Sequence, residues 1–306
     1  MMVYQFYPDT EYSDEVNGTV LSQVLNSFVT KYSRELSKIY HEKSEDYNRP
    51  EDKIGLDRDN FYTELCSYIP DIQPMRRGTK IEVALFIQYP ISMLADSVMF
   101  LFQNLSDIEE IGTDFYSKEC YKFVGGTVKR NEFVAEVNQL LERNHLNYYL
   151  DNNGTFSRKV SDDFNELLDL PVPAVEAGID NLIQDSKKLI CSYEEGNRKL
   201  GLEKIIDAFQ RTKSLYAQSQ GNVSESVNKL INNVAEGHEQ FHSFVNFIMT
   251  SITSIANNAE IRHTEVYQDA LQSEKQRDYL FQVTLLTINL LLTGYNETEA
   301  TNETSI

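Results

Sequence analysis

The sequence predicts a mainly α architecture: an N-terminal helical region with one small β-hairpin, followed by a C-terminal antiparallel helical bundle. Three observations carry this. Apolar residues recur at helical spacing over much of the chain. The clearest strand signature is Leu146-Asn147-Tyr148-Tyr149-Leu150 and Thr155-Phe156-Ser157-Arg158-Lys159-Val160 flanking Asn153-Gly154, a pair that tolerates the positive backbone angles of a tight turn. Beyond Leu170-Pro171-Val172-Pro173 the pattern is purely helical, and short polar breaks make successive helices antiparallel neighbours.

Residues 13–44 read as a first amphipathic helix, with Val20, Val24, Leu25, Phe28, Val29, Tyr32, Leu36 and Tyr40 at helical spacing. Ser44 to Asp57 lacks periodic apolar residues and reads as a loop. A short helix is expected over Asp59–Tyr68, stopped near Pro70, and the connector Pro74 to Gly78 carries Arg76 and Arg77. From about Thr79 to Phe102 the chain is apolar on all sides, which predicts a central buried helix that Pro90 kinks or divides. Glu132 to Asn144 is an amphipathic helix leading into the hairpin near 146–160. The two prolines after Leu170 mark the expected boundary between an N-terminal domain, 1–170, and a bundle domain, 174–294. Bundle helices are expected near 174–194, 197–217, 222–236, 238–258 and 273–293. The polar, acidic residues 295–306 are expected to be a disordered tail.

Composition narrows the function classes. With 41% hydrophobic and 25% charged residues, the 306-residue chain is ordinary globular material. Cys66, Cys120 and Cys191 are scattered, without zinc-site or redox-pair spacing, and are expected to be reduced, buried thiols. The first residues lack a basic stretch ahead of an apolar one, which implies a cytoplasmic protein. Tyr279 to Leu292 is too short to span a bilayer and is interrupted by Gln282, Thr284, Thr287 and Asn289, so no membrane partner is expected. A net charge of −19 opposes broad coating of nucleic acid, because phosphate binding rests on basic surface. A recessed local cleft for RNA or a nucleotide survives that argument, since local potential does the steering. The acidic N-terminal half is a candidate surface for a protein partner.

Neither a phosphate-binding G-x-x-x-x-G-K-[ST] loop, a G-x-G-x-x-G turn nor a G-x-S-x-G elbow is present. His238-Glu239-Gln240-Phe241-His242 matches H-E-x-x-H. On a helix this motif puts two imidazoles on one face with Glu239 as base, the arrangement of a metal hydrolase. The same residues also read as the start of a core helix continuing through Phe244, Val245, Phe247 and Ile248, with no third ligand evident downstream. A second cluster, Ile261-Arg262-His263-Thr264-Glu265, lies in the connector before the last helix. Arg262 has the fixed donor fork that clamps a phosphate, His263 transfers protons near neutral pH, and Glu265 can orient it or serve as second base. These groups suit metal-independent phosphodiester cleavage, with no cofactor. Equally, Arg262 and Glu265 read as a helix-end ion pair with His263 capping carbonyls. Phe241, Phe244, Phe247 and Phe281 exceed what one small bundle must bury, which predicts an uncovered apolar face and a homodimer.

The stretch Leu202-Glu203-Lys204-Ile205-Ile206-Asp207-Ala208-Phe209-Gln210-Arg211-Thr212-Lys213-Ser214-Leu215, with Ile261 to Glu265 and Asp278-Tyr279-Leu280-Phe281, resembles abortive-infection proteins of the AbiJ-like kind. Their C-terminal region is a HEPN-type helical domain. The segment Phe133 to Val160, including Asn138-Gln139-Leu140-Leu141-Glu142-Arg143-Asn144-His145-Leu146-Asn147-Tyr148, is similar to the part preceding that domain. The resemblance covers roughly the latter half of the chain. It implies antiviral defence, with RNA cleaved by an Arg…His motif in a dimeric cleft, or else a HEPN-like module that binds a nucleotide or a partner without catalysis. Such nucleases usually separate the arginine and histidine by several residues, whereas Arg262 and His263 are adjacent.

Overall fold

The computed structural model describes residues 15–43, 53–69, 80–217, 222–258, 271 and 273–303, and the chain divides into two compact units that meet in sequence at Lys159 and Val160. Mainly helical architecture with small antiparallel sheets is what it adopts. In chain order the N-terminal unit runs β1 (Glu15–Asn17), α1 (Gly18–Ser22), a π-helical segment (Gln23–Phe28), α2 (Val29–Lys31), β2 (His41–Lys43), β3 (Lys53–Leu56), α3 (Arg58–Tyr68), β4 (Gln88–Pro90), α4 (Ile91–Asn104), β5 (Ile108–Thr113), β6 (Glu119–Phe123), α5 (Thr127–Arg143), β7 (Tyr148–Leu150) and β8 (Phe156–Arg158).

The first expected helix has its buried positions right as far as Leu36, while Tyr40 is half-buried, and its length is wrong. Val20, Val24, Leu25, Phe28, Val29, Tyr32 and Leu36 are buried, yet regular helix ends at Lys31 and turns lead into β2. The Ser37 hydroxyl donates to the Arg34 carbonyl at 2.5 Å and meets the Tyr121 hydroxyl of β6 at 2.7 Å, so the chain here is committed to the sheet. Likewise the helix expected from Thr79 begins only at Ile91. Pro90, with φ −55°, suits the position ahead of a helix and keeps the residue before it extended. Those extended residues pair antiparallel with β1. From Ile91 to Phe102, α4 is buried nearly all round.

Besides the expected hairpin β7–β8, the unit contains the pair β1–β4 and a four-stranded sheet in the order β2-β3-β6-β5. These strands are short, and β5 is exposed from Glu109 to Thr113, so no apolar alternation marked it. In the hairpin the Asp151 carboxylate accepts the Asn153 and Thr155 amides at 2.8 Å each, and Gly154 takes φ +84°.

The C-terminal unit comprises α6 (Asp162–Asp169), α7 (Ala177–Ile190), α8 (Glu195–Thr212), α9 (Val223–Ala235), α10 (Glu239–Asn258) and α11 (Glu274–Glu303). It starts at Val160, ahead of the proline connector, because α6 is part of this core: Phe164 is fully buried with its ring 5.7 Å from that of Phe281. α7 lies along α8, α11 packs against α8 and α9, and α10 meets α9 and α11. The tail expected to be disordered from residue 295 instead continues α11 to Glu303. Tertiary contacts hold it: the Tyr295 ring lies 4.9 Å from that of Tyr216, whose hydroxyl donates to Glu299 at 3.3 Å. Of the cysteines expected to be buried, Cys120 is, while Cys66 and Cys191 are half-buried; all three are free thiols. No helix among the described residues is long and apolar enough to cross a membrane.

Candidate functional site

Arg262, His263 and Glu265 lie outside the described residues, in the connector between the end of α10 at Asn258 and the start of α11 at Glu274. What the structure describes is the frame on either side. At the entry to α11, Arg277 donates to the Leu271 carbonyl at 3.2 Å and to Glu274 at 2.6 Å. Glu274 also accepts from Arg198 of α8 at 3.1 Å, and Arg198 donates to the carbonyls of Ser192 and Tyr193 in the α7–α8 turn. With the Arg198 side chain 1% exposed and that of Glu274 14%, this is a buried pair, and it clamps the connector's far end onto the bundle. Sequence reasoning missed it because the partners are 76 residues apart. Glu195, with Lys199 donating to it, has its pKa held below the ordinary carboxylate value and adds a further contact to Arg277 at 3.3 Å.

His238, Glu239 and His242 are brought to one open crevice of about 410 Å³ at the α9–α10 turn, beside Asn232 and Ser243. His238 precedes α10 and does not lie on it. Its Nδ1 accepts the Phe241 amide at 3.2 Å and its carbonyl accepts the His242 amide at 2.9 Å, so its ring acts as the helix cap. Among the described residues no group of three His, Cys, Asp or Glu side chains is arranged to hold a metal ion, these three included. The motif needs both imidazoles on one helical face, and the cap removes one of them from it.

The expected uncovered apolar face is present, with one correction. Phe281 is fully buried, whereas Phe241, Phe244 and Phe247 of α10 are 36%, 56% and 69% exposed. Phe247, Ile252, Ile255, Tyr279 and Val283 line an apolar groove of about 360 Å³ between α10 and α11. On α11 the row continues through Leu286 and Leu290, 51% and 38% exposed; Tyr279, Val283, Leu286 and Leu290 are spaced four, three and four apart, the seam of a helix awaiting another helix. From Gln240 to Asn258 not one residue is Asp, Glu, Lys or Arg, in a chain that is 25% charged. An exposed helix face without charge beyond its first residue has the depletion that marks the core of an interface.

No protein-family model, no curated protein and no solved structure matches this chain.

Proposed function

We propose that this chain is a HEPN-like phage-defence protein of the abortive-infection kind, whose bundle pairs with a second copy along the α10–α11 face. In the paired state it cleaves RNA without a metal. Arg262 clamps the phosphate, His263 moves the proton and Glu265 orients it. The observation that carries the pairing is the stretch of α10 from Gln240 to Asn258, which lacks Asp, Glu, Lys and Arg, with Phe247 69% exposed opposite Tyr279, 63% exposed, across an apolar groove. Support for the chemistry comes from the residue types and the resemblance; in sequence, the connector that carries Arg262 and His263 joins the two helices that frame the groove. A second reading is favoured by the same surface, namely a HEPN-like interaction module that pairs without catalysis.

Sedimentation over a range of concentrations, together with RNA cleavage, separates these. The wild type should dimerise, and Phe247→Ser with Tyr279→Ser should yield a folded monomer, since both side chains are exposed in the single chain. His263→Ala and Arg262→Ala should each lower cleavage by about a hundredfold or more while leaving the dimer intact. A dimer that leaves RNA uncut favours the interaction module; a concentration-independent monomer removes both readings.

A further inference from the structure

One stripe of α10 carries both a projection and a hollow. Phe241, Phe244, Ile248, Ser251 and Ile255 are spaced three, four, three and four apart, the alternation that keeps side chains on the face of a helix turned to another helix. The start of the stripe is bulky: the rings of Phe241 and Phe244 are 36% and 56% exposed, with centroids 6.1 Å apart. Neither ring is part of the groove between α10 and α11. The later half of the stripe is, because Ile248, Ser251 and Ile255 line that groove together with Tyr279 and Val283. Ser251 is the small residue of the five and leaves room there.

Charge selects a second copy as the occupant. At a net charge of −19 two copies repel one another, and carboxylates set against carboxylates would oppose contact directly. Residues 240–258 and 279–296 contain no Asp, Glu, Lys or Arg, so on this face two copies meet without opposing like charges. A foreign partner drawn to so acidic a chain would offer basic groups, for which the face holds no carboxylate. Shape then selects the orientation. A two-fold pair uses the same patch on both copies. With the two α10 helices parallel, rings would crowd against rings and hollow would face hollow. With them antiparallel, the rings of each copy lie over the hollow of the other. The one carboxylate of α10, Glu239 at its first residue, favours the same choice, since the antiparallel arrangement holds the two copies of it at opposite ends.

We propose that the second copy docks with its α10 antiparallel to this one, Phe241 and Phe244 of each chain seated in the α10–α11 groove of the other. This rests on the pairing proposed above and adds to it the anchor residues, the receptor and the direction. The two-fold axis then passes close to Phe247 and Ile248, midway between rings and hollow. From Phe241 to Ile255 the stripe is about 20 Å long, and with α11 beside it the patch is two helices wide, the scale of one side of a small stable interface. Two rings filling a preformed apolar hollow at the centre of such a patch are the kind of anchor that carries most of an interface's affinity.

Thiol cross-linking of the full chain tests the direction, with a bifunctional maleimide that reaches about 10 Å, the separation of two packed helices. Ser243→Cys and Ser254→Cys lie on opposite sides of the expected axis, and both positions are exposed. An equal mixture of the two variants should cross-link, and neither should cross-link with itself. Gln240→Cys alone should not cross-link, because its two copies stand more than about 20 Å apart in the antiparallel pair. The wild-type chain supplies the background from its own thiols. Phe244→Ser, which leaves the chain's own groove lining intact, should raise the dimer dissociation constant about tenfold or more in sedimentation. A dimer in which Gln240→Cys cross-links with itself, one in which the mixture gives no cross-link, or one unweakened by Phe244→Ser overturns this inference and leaves pairing standing. A wild-type chain that is monomeric at every concentration removes pairing itself and this inference with it.

Discussion

The two units solve the packing problem differently. In the N-terminal unit short elements are gathered around rings: Phe28, Tyr32 and Phe133 meet edge to face with centroids 5.7 to 6.4 Å apart, and Phe61 packs on Tyr62 and Phe100. Side chains distant in sequence then pin the backbone, as when Asn138 of α5 brackets Leu150, donating to its carbonyl at 2.9 Å and accepting its amide at 2.8 Å. The C-terminal unit instead lays long aliphatic helices side by side, and its hydroxyl bonds are mostly local, as from Thr212 to the Ala208 carbonyl and from Thr284 to the Leu280 carbonyl. Its long-range polar bond of note is the buried pair of Arg198 and Glu274. Where helices are long, their own backbone satisfies the polar groups and side chains are free to pack. Where elements have three to six residues, polar side chains from elsewhere must complete them.

The largest effect expected from this contrast is at the buried pair. Glu274→Ala leaves Arg198 enclosed without that carboxylate and should cost about 3–5 kcal/mol. Glu110→Ala, which removes an exposed partner of Arg34 in the N-terminal unit, should cost about 1 kcal/mol or less. Denaturant unfolding of the two variants compares them, and equal costs would break the distinction between a buried clamp and surface pairs.

Of intermediate size is the N-terminal pin. Asn138→Ala deprives both polar groups of buried Leu150 of a partner and should lower stability by about 1–3 kcal/mol. Thr212→Val in α8 should cost less, since the hydroxyl there only supplements a helical carbonyl. Reversal of that order in thermal unfolding would mean that the long-range pins are incidental.

Smallest is a pH effect at the start of α7. Glu176 caps that helix by accepting the Gly178 and Ile179 amides at 3.0 Å each, and Arg211 lies 2.7 Å away. The Gly178 amide, with that of Ile179 and the Arg211 charge, holds its pKa below the ordinary carboxylate value. A depressed folded pKa stabilises the fold above the unfolded value, and the contribution fades as pH falls through the folded one. Glu176→Gln should therefore melt below wild type at pH 7 and converge with it as pH falls through the lowered folded pKa. A gap that persists in acid would assign the difference to packing.

Legibility followed the same division. Helices α7 to α10 stand within a few residues of their predicted spans, because a long amphipathic period is a local property that survives any arrangement of neighbours. The β7–β8 hairpin was legible for a similar reason, through Asn153-Gly154 and its flanks. The four-stranded sheet was not, since β2, β3, β5 and β6 carry too few residues for a period to be read. For the candidate site, the uncharged run from Gln240 to Asn258 and its phenylalanines were in the sequence. Which rings face outward was not.

By itself, then, the sequence determined the helical class, the positions of the bundle helices and the apolar surplus on α10. Tertiary structure alone decided that Phe281 turns inward against Phe164 while Phe247 stays exposed, that Arg198 meets Glu274, and that α11 continues past Tyr295. Gly201 illustrates why. In the interior of an exposed helix, alanine would be favoured over glycine by about 0.5–1 kcal/mol, and nothing local explains its presence in α8. A Cβ at this position would stand 2.8 Å from the Ile190 backbone nitrogen of α7. Periodicity tells which residues seek burial, but the neighbour that buries them, and how near it comes, is a contact between distant parts of the chain.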